Sequence, residues 1–119
     1  MKRTHATSAT LQRGNEPPVL ILTSLAEGPK HGYALTKDIE SFAGVVLGPG
    51  TLYGAIARLE ERGLIAPIPS DDRRQPYEIT IGGRAALTAA VREMHALASV
   101  GAGRLGVGLL AGPFAGAGA

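Results

Sequence analysis

The sequence predicts a mainly α fold with a small β element (α+β): three short helices, a two-stranded hairpin and one longer C-terminal helix. Three observations predict it. Apolar residues gather in three early stretches, each closed by glycine. A proline-punctuated stretch from Leu64 to Ile81 then alternates around a charged turn. Beyond it, Leu87, Val91, Met94, Ala98 and Leu105 approximate a four/three seam, with Leu97 widening it.

Length and composition bound the function. The 119 residues suffice for one domain with a modest core. Cysteine is absent, which excludes a disulfide framework and a thiolate metal site and fits a reducing cytoplasm. No apolar run approaches the roughly 20 residues of a membrane span. The basic head lacks the apolar core of a signal peptide. The formal net charge of +2 argues only weakly for a nucleic-acid partner. Its distribution says more: Lys2, Arg3 and Arg13 precede the first acidic residue, Glu16, and Arg73 and Arg74 share a turn.

Residues 1–15 are polar and unpatterned and read as an arm, either a solvated tail or a source of phosphate contacts. Pro17 and Pro18 suit a helix start. Val19, Leu20, Ile21, Leu22 and Leu25 make that helix apolar on most sides, as a central core helix is. Gly28 and Pro29 end it.

The second helix is expected over His31–Phe42, with Leu35, Ile39 and Phe42 inward and Gly44 closing it. Its first turn holds Lys30, His31 and Tyr33, beside amide groups that attract phosphate. For His31 a plain capping or surface role competes with phosphate contact, and nothing nearby has metal-ligand spacing.

The third helix is PGTLYGAIARLEERGLI, residues 49–65, with Leu52, Ile56 and Leu59 on one face. Its other face offers Thr51, Tyr53, Arg58 and Arg62. Two helices joined across Gly44–Gly48 make a helix-turn-helix, whose second helix enters the major groove of DNA. Gly50, Thr51 and Tyr53 then stand at the base edges, and Arg58 is directed to backbone or to a carboxylate. Two bland alternatives stay open: Tyr53 packs between helices, and Thr51 merely caps.

Gln75–Ile81 reads as a strand with Tyr77, Ile79 and Ile81 on one face. With Leu64–Pro69 it forms a short hairpin, a wing, made irregular by Pro67, Pro69 and Pro76. Arg73 and Arg74 at its tip reach phosphates or a minor groove, or are a solvated pair. Thr80 is the expected N-cap of the fourth helix. A long stripe outside a compact winged domain calls for a partner, so Leu87, Val91, Met94, Leu97 and Ala98 are assigned to a symmetric dimer, with packing back on their own domain as the alternative. The chain thus divides into a basic arm (1–15), a winged helix-turn-helix (16–81), a dimerisation helix (82–105) and a Gly/Ala-rich tail (106–119) expected to be disordered.

No nucleophile–base pair, phosphate loop or metal set is visible, so no catalytic residue, cofactor or metal is expected.

Three stretches in order, LAEGPKHGYAL, PGTLYGAIARLEERGLI and RRQPYEITIGGRAAL, resemble the PadR-type transcriptional regulators, a winged helix-turn-helix family. The resemblance spans residue 19 to about residue 100. It implies a homodimer on a near-palindromic double-stranded DNA operator, most often a repressor, with a C-terminal dimerisation helix. In some relatives a small aromatic effector relieves repression. By resemblance, Lys30, His31 and Tyr33 face phosphate, Gly50, Thr51, Leu52 and Tyr53 form the recognition signature, and Arg58, Leu59 and Glu60 follow with Leu59 inward. Arg73, Arg74 and Tyr77 belong to the wing. Gly54, Gly82 and Pro76 depart from the family pattern, and without Trp no tryptophan sandwich for a drug can form. The alternative reading is a winged-helix protein-interaction module that keeps the fold without binding DNA.

Overall fold

A computed structural model of the chain describes residues 16–108. The basic arm expected at 1–15 and the tail from 109 onward lie outside the described residues. The elements in order are α1 (Pro17–Leu25), β1 (Lys30–His31), α2 (Gly32–Ala43), α3 (Pro49–Glu61), β2 (Ile65–Pro67), β3 (Pro76–Ile79) and α4 (Ile81–Leu105). The chain divides into two compact units, one ending at Leu87 and one beginning at Thr88.

In the first unit α1 is the central helix. Leu20, Ile21, Leu22 and Leu25 are buried, and the helix packs against α2, α3 and β3. Each such side chain contributes about 1.5–3 kcal/mol on burial. Leu35 and Ile39 of α2 and Leu52, Ala55, Ile56 and Leu59 of α3 complete the core with Leu47 and Ile65.

Phe42, expected to point inward, is 47% exposed. It sits in the last turn of α2, where the core is already filled by Leu47 from the following connection, with Ala43 and Val45 packed beside it. Gly44 closes α2 at φ 69°, and its N–H donates to the Glu40 carbonyl. The helix begins one residue later than expected, because His31 is its cap and not its first residue. At the start of α3 the cap position is Gly48, with Pro49 leading the first turn and no side-chain cap. Thr51 is therefore not the cap.

The sheet has the order β1–β3–β2, both pairings antiparallel. Ile65 faces Ile79 and Pro67 faces Tyr77 across the wing. The third strand, β1, was not expected from sequence, since two residues leave no alternation to detect. It pairs Lys30 with Tyr77 and His31 with Pro76, so the residues entering α2 are hydrogen-bonded into the wing.

Ile81, expected on the strand face with Tyr77 and Ile79, is 90% exposed and opens α4 instead. Thr80 explains the switch. Its Oγ1 accepts from the Gly83 N–H at 3.0 Å and donates to the Gly63 carbonyl at 2.7 Å, capping the helix and tying it to the end of α3. Gly83 is buried against Leu64: a Cβ there would strike the Leu64 carbonyl and come within 2.7 Å of the Ile79 side chain. Glycine costs helix propensity, and here it permits a close crossing.

In the second unit the helix runs through Gly101 and Gly103 to Leu105, and Gly106 ends it at φ 75°. Val91, Leu97, Val100 and Leu105 are exposed along it. No helix among the described residues is long and apolar enough to cross a membrane.

Candidate nucleic-acid interface

The expected site residues come from three places: the entry to α2, the outer face of α3, and the wing tip. The β1–β3 pairing brings the first and third together. Between them lies an open cleft of about 300 Å³. His31 and Tyr33 form one wall, Tyr53 another, and Arg73, Arg74 and Gln75 the third. Among the described residues no carboxylate lines it.

Lys30 is not in the cleft. Its side chain is only 13% exposed, and its ammonium donates to the Ser24 carbonyl at 2.6 Å and pairs with Glu27 at 2.8 Å. Asp38 lies 3.8 Å from it and accepts a 2.6 Å bond from the buried Ser24 hydroxyl. The charge expected at a phosphate is committed to joining α1, β1 and α2. A buried Ser24 and a partly buried Asp38 explain this: without the ammonium the carboxylate would keep the Ser24 hydroxyl as its partner.

His31 caps α2, its Nδ1 accepting the Ala34 N–H at 3.3 Å. Its Nε2 lies 3.4 Å from an Arg74 guanidinium nitrogen at the wing tip. Tyr33 is exposed, with the Lys37 ammonium 6.0 Å from its ring centroid.

Tyr53 settles between the two roles the sequence left open. Its phenol packs directly on Gly32, where an added Cβ would land on the hydroxyl and within 2.8 Å of the ring carbon bearing it. The residue is nonetheless 51% exposed and lines the cleft. It both packs and presents. Gly50 and Thr51 stand exposed on the same helix. Arg58 is exposed too, and a guanidinium nitrogen lies 3.6 Å from where a Gly54 Cβ would be. A Cβ at Gly54 would meet that nitrogen only in ordinary van der Waals contact, so the arginine lies back along α3 without needing the glycine.

In the wing, the Asp72 carboxylate accepts the Arg73 N–H at 2.6 Å and the Ser70 hydroxyl accepts the Asp72 N–H. Both arginine side chains remain exposed. Gln75 was not singled out from sequence, yet its amide donates to the Ile68 and Pro76 carbonyls at 2.9 and 2.8 Å and clamps the hairpin. An amide before a proline carries no pattern that would reveal this. Tyr77 on β3 has its pKa raised by burial first, then by Glu60 and Tyr53, so its phenol stays protonated. Among the described residues no group of His, Cys, Asp or Glu could hold a metal.

The expected dimer residues divide. Leu87 packs against the core of the first unit. Val91, Leu97 and Ala98 are exposed and Met94 half-buried in the second.

The sequence profile of the Transcriptional regulator PadR-like family matches residues 21–89. An uncharacterized 37.1 kDa protein in a transposon of Streptomyces fradiae is 45% identical over 86 residues, covering 72% of this chain and 24% of that protein. The chain thus spans about a quarter of that relative's length. Transcriptional regulator Rv3488 of Mycobacterium tuberculosis is 38% identical over 81 residues, covering 66% of this chain and 75% of that one. A PadR family transcription regulator from Clostridium difficile has a similar solved structure, with TM-score 0.69, 25% identity, and coverage of 76% of this chain and 99% of that one.

Proposed function

The chain belongs to the Transcriptional regulator PadR-like family, and from that membership we propose that it binds double-stranded DNA sequence-specifically. In this reading it is a homodimeric repressor, acting in the cytoplasm on a near-palindromic operator. One observation carries the DNA-binding reading. The β1–β3 pairing sets the wing arginines beside Tyr33 and Tyr53, so donors from three elements share one face without a carboxylate in their cleft. Such a face suits a polyanion.

The second helix of the pair, α3, enters a major groove, with Gly50 allowing close approach and Thr51 and Tyr53 at base edges. Arg73 and Arg74 lie on the flanking backbone. Arg58, exposed on α3, reaches toward the same groove. His31 and Tyr33 complete the contact surface, and Lys30 holds it in place from behind. The exposed apolar row of the second unit, Val91 and Leu97 with Met94 and Ala98, pairs with its copy across a two-fold axis. Two half-sites then sit about one helical turn, roughly 34 Å, apart. We assign no effector.

Selection of bound sites from random duplexes tests the proposal. The expected result is an inverted repeat whose half-site centres are one turn apart. Binding that vanishes at physiological salt for every sequence would instead favour a protein-interaction module.

A further inference from the structure

His31 has one lone pair and two neighbours that both need it. A neutral imidazole carries one N–H and one acceptor nitrogen. The Ala34 N–H faces Nδ1 at 3.3 Å, and an Arg74 guanidinium nitrogen faces Nε2 at 3.4 Å. Only one can be accepted. The Ala34 N–H is part-buried and has no carbonyl to reach at the start of its helix, whereas the Arg74 contact is exposed and water can serve it. The cap therefore takes the lone pair, and the proton resides on Nε2. That leaves an Nε2–H and a guanidinium nitrogen 3.4 Å apart at the cleft, two donors facing one another where a hydrogen bond needs one donor and one acceptor.

We infer that this point is a preformed seat for a single phosphate oxyanion, held by His31 Nε2–H and Arg74 together, with the Tyr53 hydroxyl on the adjoining wall. The seat deepens the DNA-binding reading above, on which it rests for the source of the phosphate. An anion there turns a mutual repulsion of donors into two hydrogen bonds, one of them to a guanidinium. It also joins the wing to the entry of α2 through a shared ligand, since the two residues are 43 positions apart in sequence. A docked phosphate thus fixes the wing relative to the helix-turn-helix in addition to neutralising one charge.

The test is a scan of the selected operator with single methylphosphonate linkages, each removing one backbone charge. His31→Asn keeps a cap acceptor while deleting the outward N–H, and Arg74→Gln deletes the guanidinium. Wild-type protein should lose about ten- to a hundredfold in affinity at one position per half-site. Both variants should be insensitive at that same position and remain sensitive elsewhere. Loss of sensitivity at two different positions, or at none, would overturn the shared seat while leaving DNA binding intact. In a second arm, inorganic phosphate is titrated while the His31 ring nitrogens are followed by NMR. A shift at Nε2 that Arg74→Gln abolishes, in a protein that selects no duplex, would keep the oxyanion seat and sink the DNA reading. No shift and no position-specific loss would remove the seat altogether.

Discussion

The phenol of Tyr53 lies on the Cα of Gly32, joining the second turn of α3 to the first turn of α2. Alanine at this point in a helix is worth about 1 kcal/mol more than glycine by propensity alone. Gly32→Ala is nevertheless expected to lower stability slightly, by about 1 kcal/mol or less, because its Cβ takes the space of the phenol hydroxyl and displaces the far end of a half-exposed side chain. The Tyr53 ring must also leave the cleft, so operator affinity falls. Chemical denaturation and operator titration check the two effects. Adding Tyr53→Ala should restore stability without restoring affinity, and a Gly32→Ala protein as stable as wild type would show that the contact is not tight.

Lys30 and Arg73 are both cations of the wing sheet and its tip, and they should behave in opposite ways. Lys30→Met removes the partner of Glu27 and Asp38 and leaves the Ser24 carbonyl short of a donor. The expected cost is about 1–3 kcal/mol of stability, with the salt dependence of DNA binding unchanged. Arg73→Ala should leave stability within about 0.5 kcal/mol and lower the slope of log K against log salt by roughly 0.9. A Lys30→Met slope reduced to the same extent would return Lys30 to the phosphate backbone.

This contrast marks where sequence reading reached and where it stopped. The helices were legible because Leu35, Ile39, Leu52, Ile56 and Leu59 follow the helical period, and all five are buried. The cap at Thr80 was legible because a hydroxyl before a helical stretch has one common use. Phe42 and Ile81 obeyed the same periodicities, yet are exposed, since periodicity does not say where a core ends. The direction of Lys30 depends on Ser24 and Asp38, brought to it by packing of α1 on α2. The β1–β3 pairing, which assembles the cleft, joins residues about 46 positions apart through backbone groups that carry no side-chain signal. The residues of the candidate cleft stand openly in the sequence, whereas their convergence depends on backbone pairing that the sequence does not display.

Tyr77 gives a pH prediction. Its pKa is raised in the folded protein above the ordinary value near 10, by burial and by the Glu60 and Tyr53 neighbours. A raised pKa on a phenol means the folded state holds its proton more firmly than the unfolded chain does. The contribution is fully present below the unfolded value and is lost as pH rises through the folded one. Stability should therefore fall above about pH 10 more steeply in wild type than in Tyr77→Phe. Thermal unfolding of both proteins between pH 8 and 11 checks this, and parallel curves would exclude Tyr77 as a source of the alkaline loss.

The last prediction concerns the second unit, where Leu97 is 69% exposed on a helix that also exposes Val91, with Met94 lying between them around the axis. An apolar helix face left exposed among the described residues gains by pairing with its own copy, as the proposed homodimer requires, because one surface then buries itself twice. Leu97→Glu places a charge on each side of that contact and should convert the dimer to a monomer by sedimentation velocity. The first unit has its own core, so its thermal unfolding should change little. A monomer engages one half-site at a time and forfeits the effective concentration that tethers the second. Operator affinity should fall by about a hundredfold or more, while affinity for an isolated half-site stays near that of wild type. A variant that remains dimeric, with operator affinity intact, would place the dimer contact elsewhere in the chain.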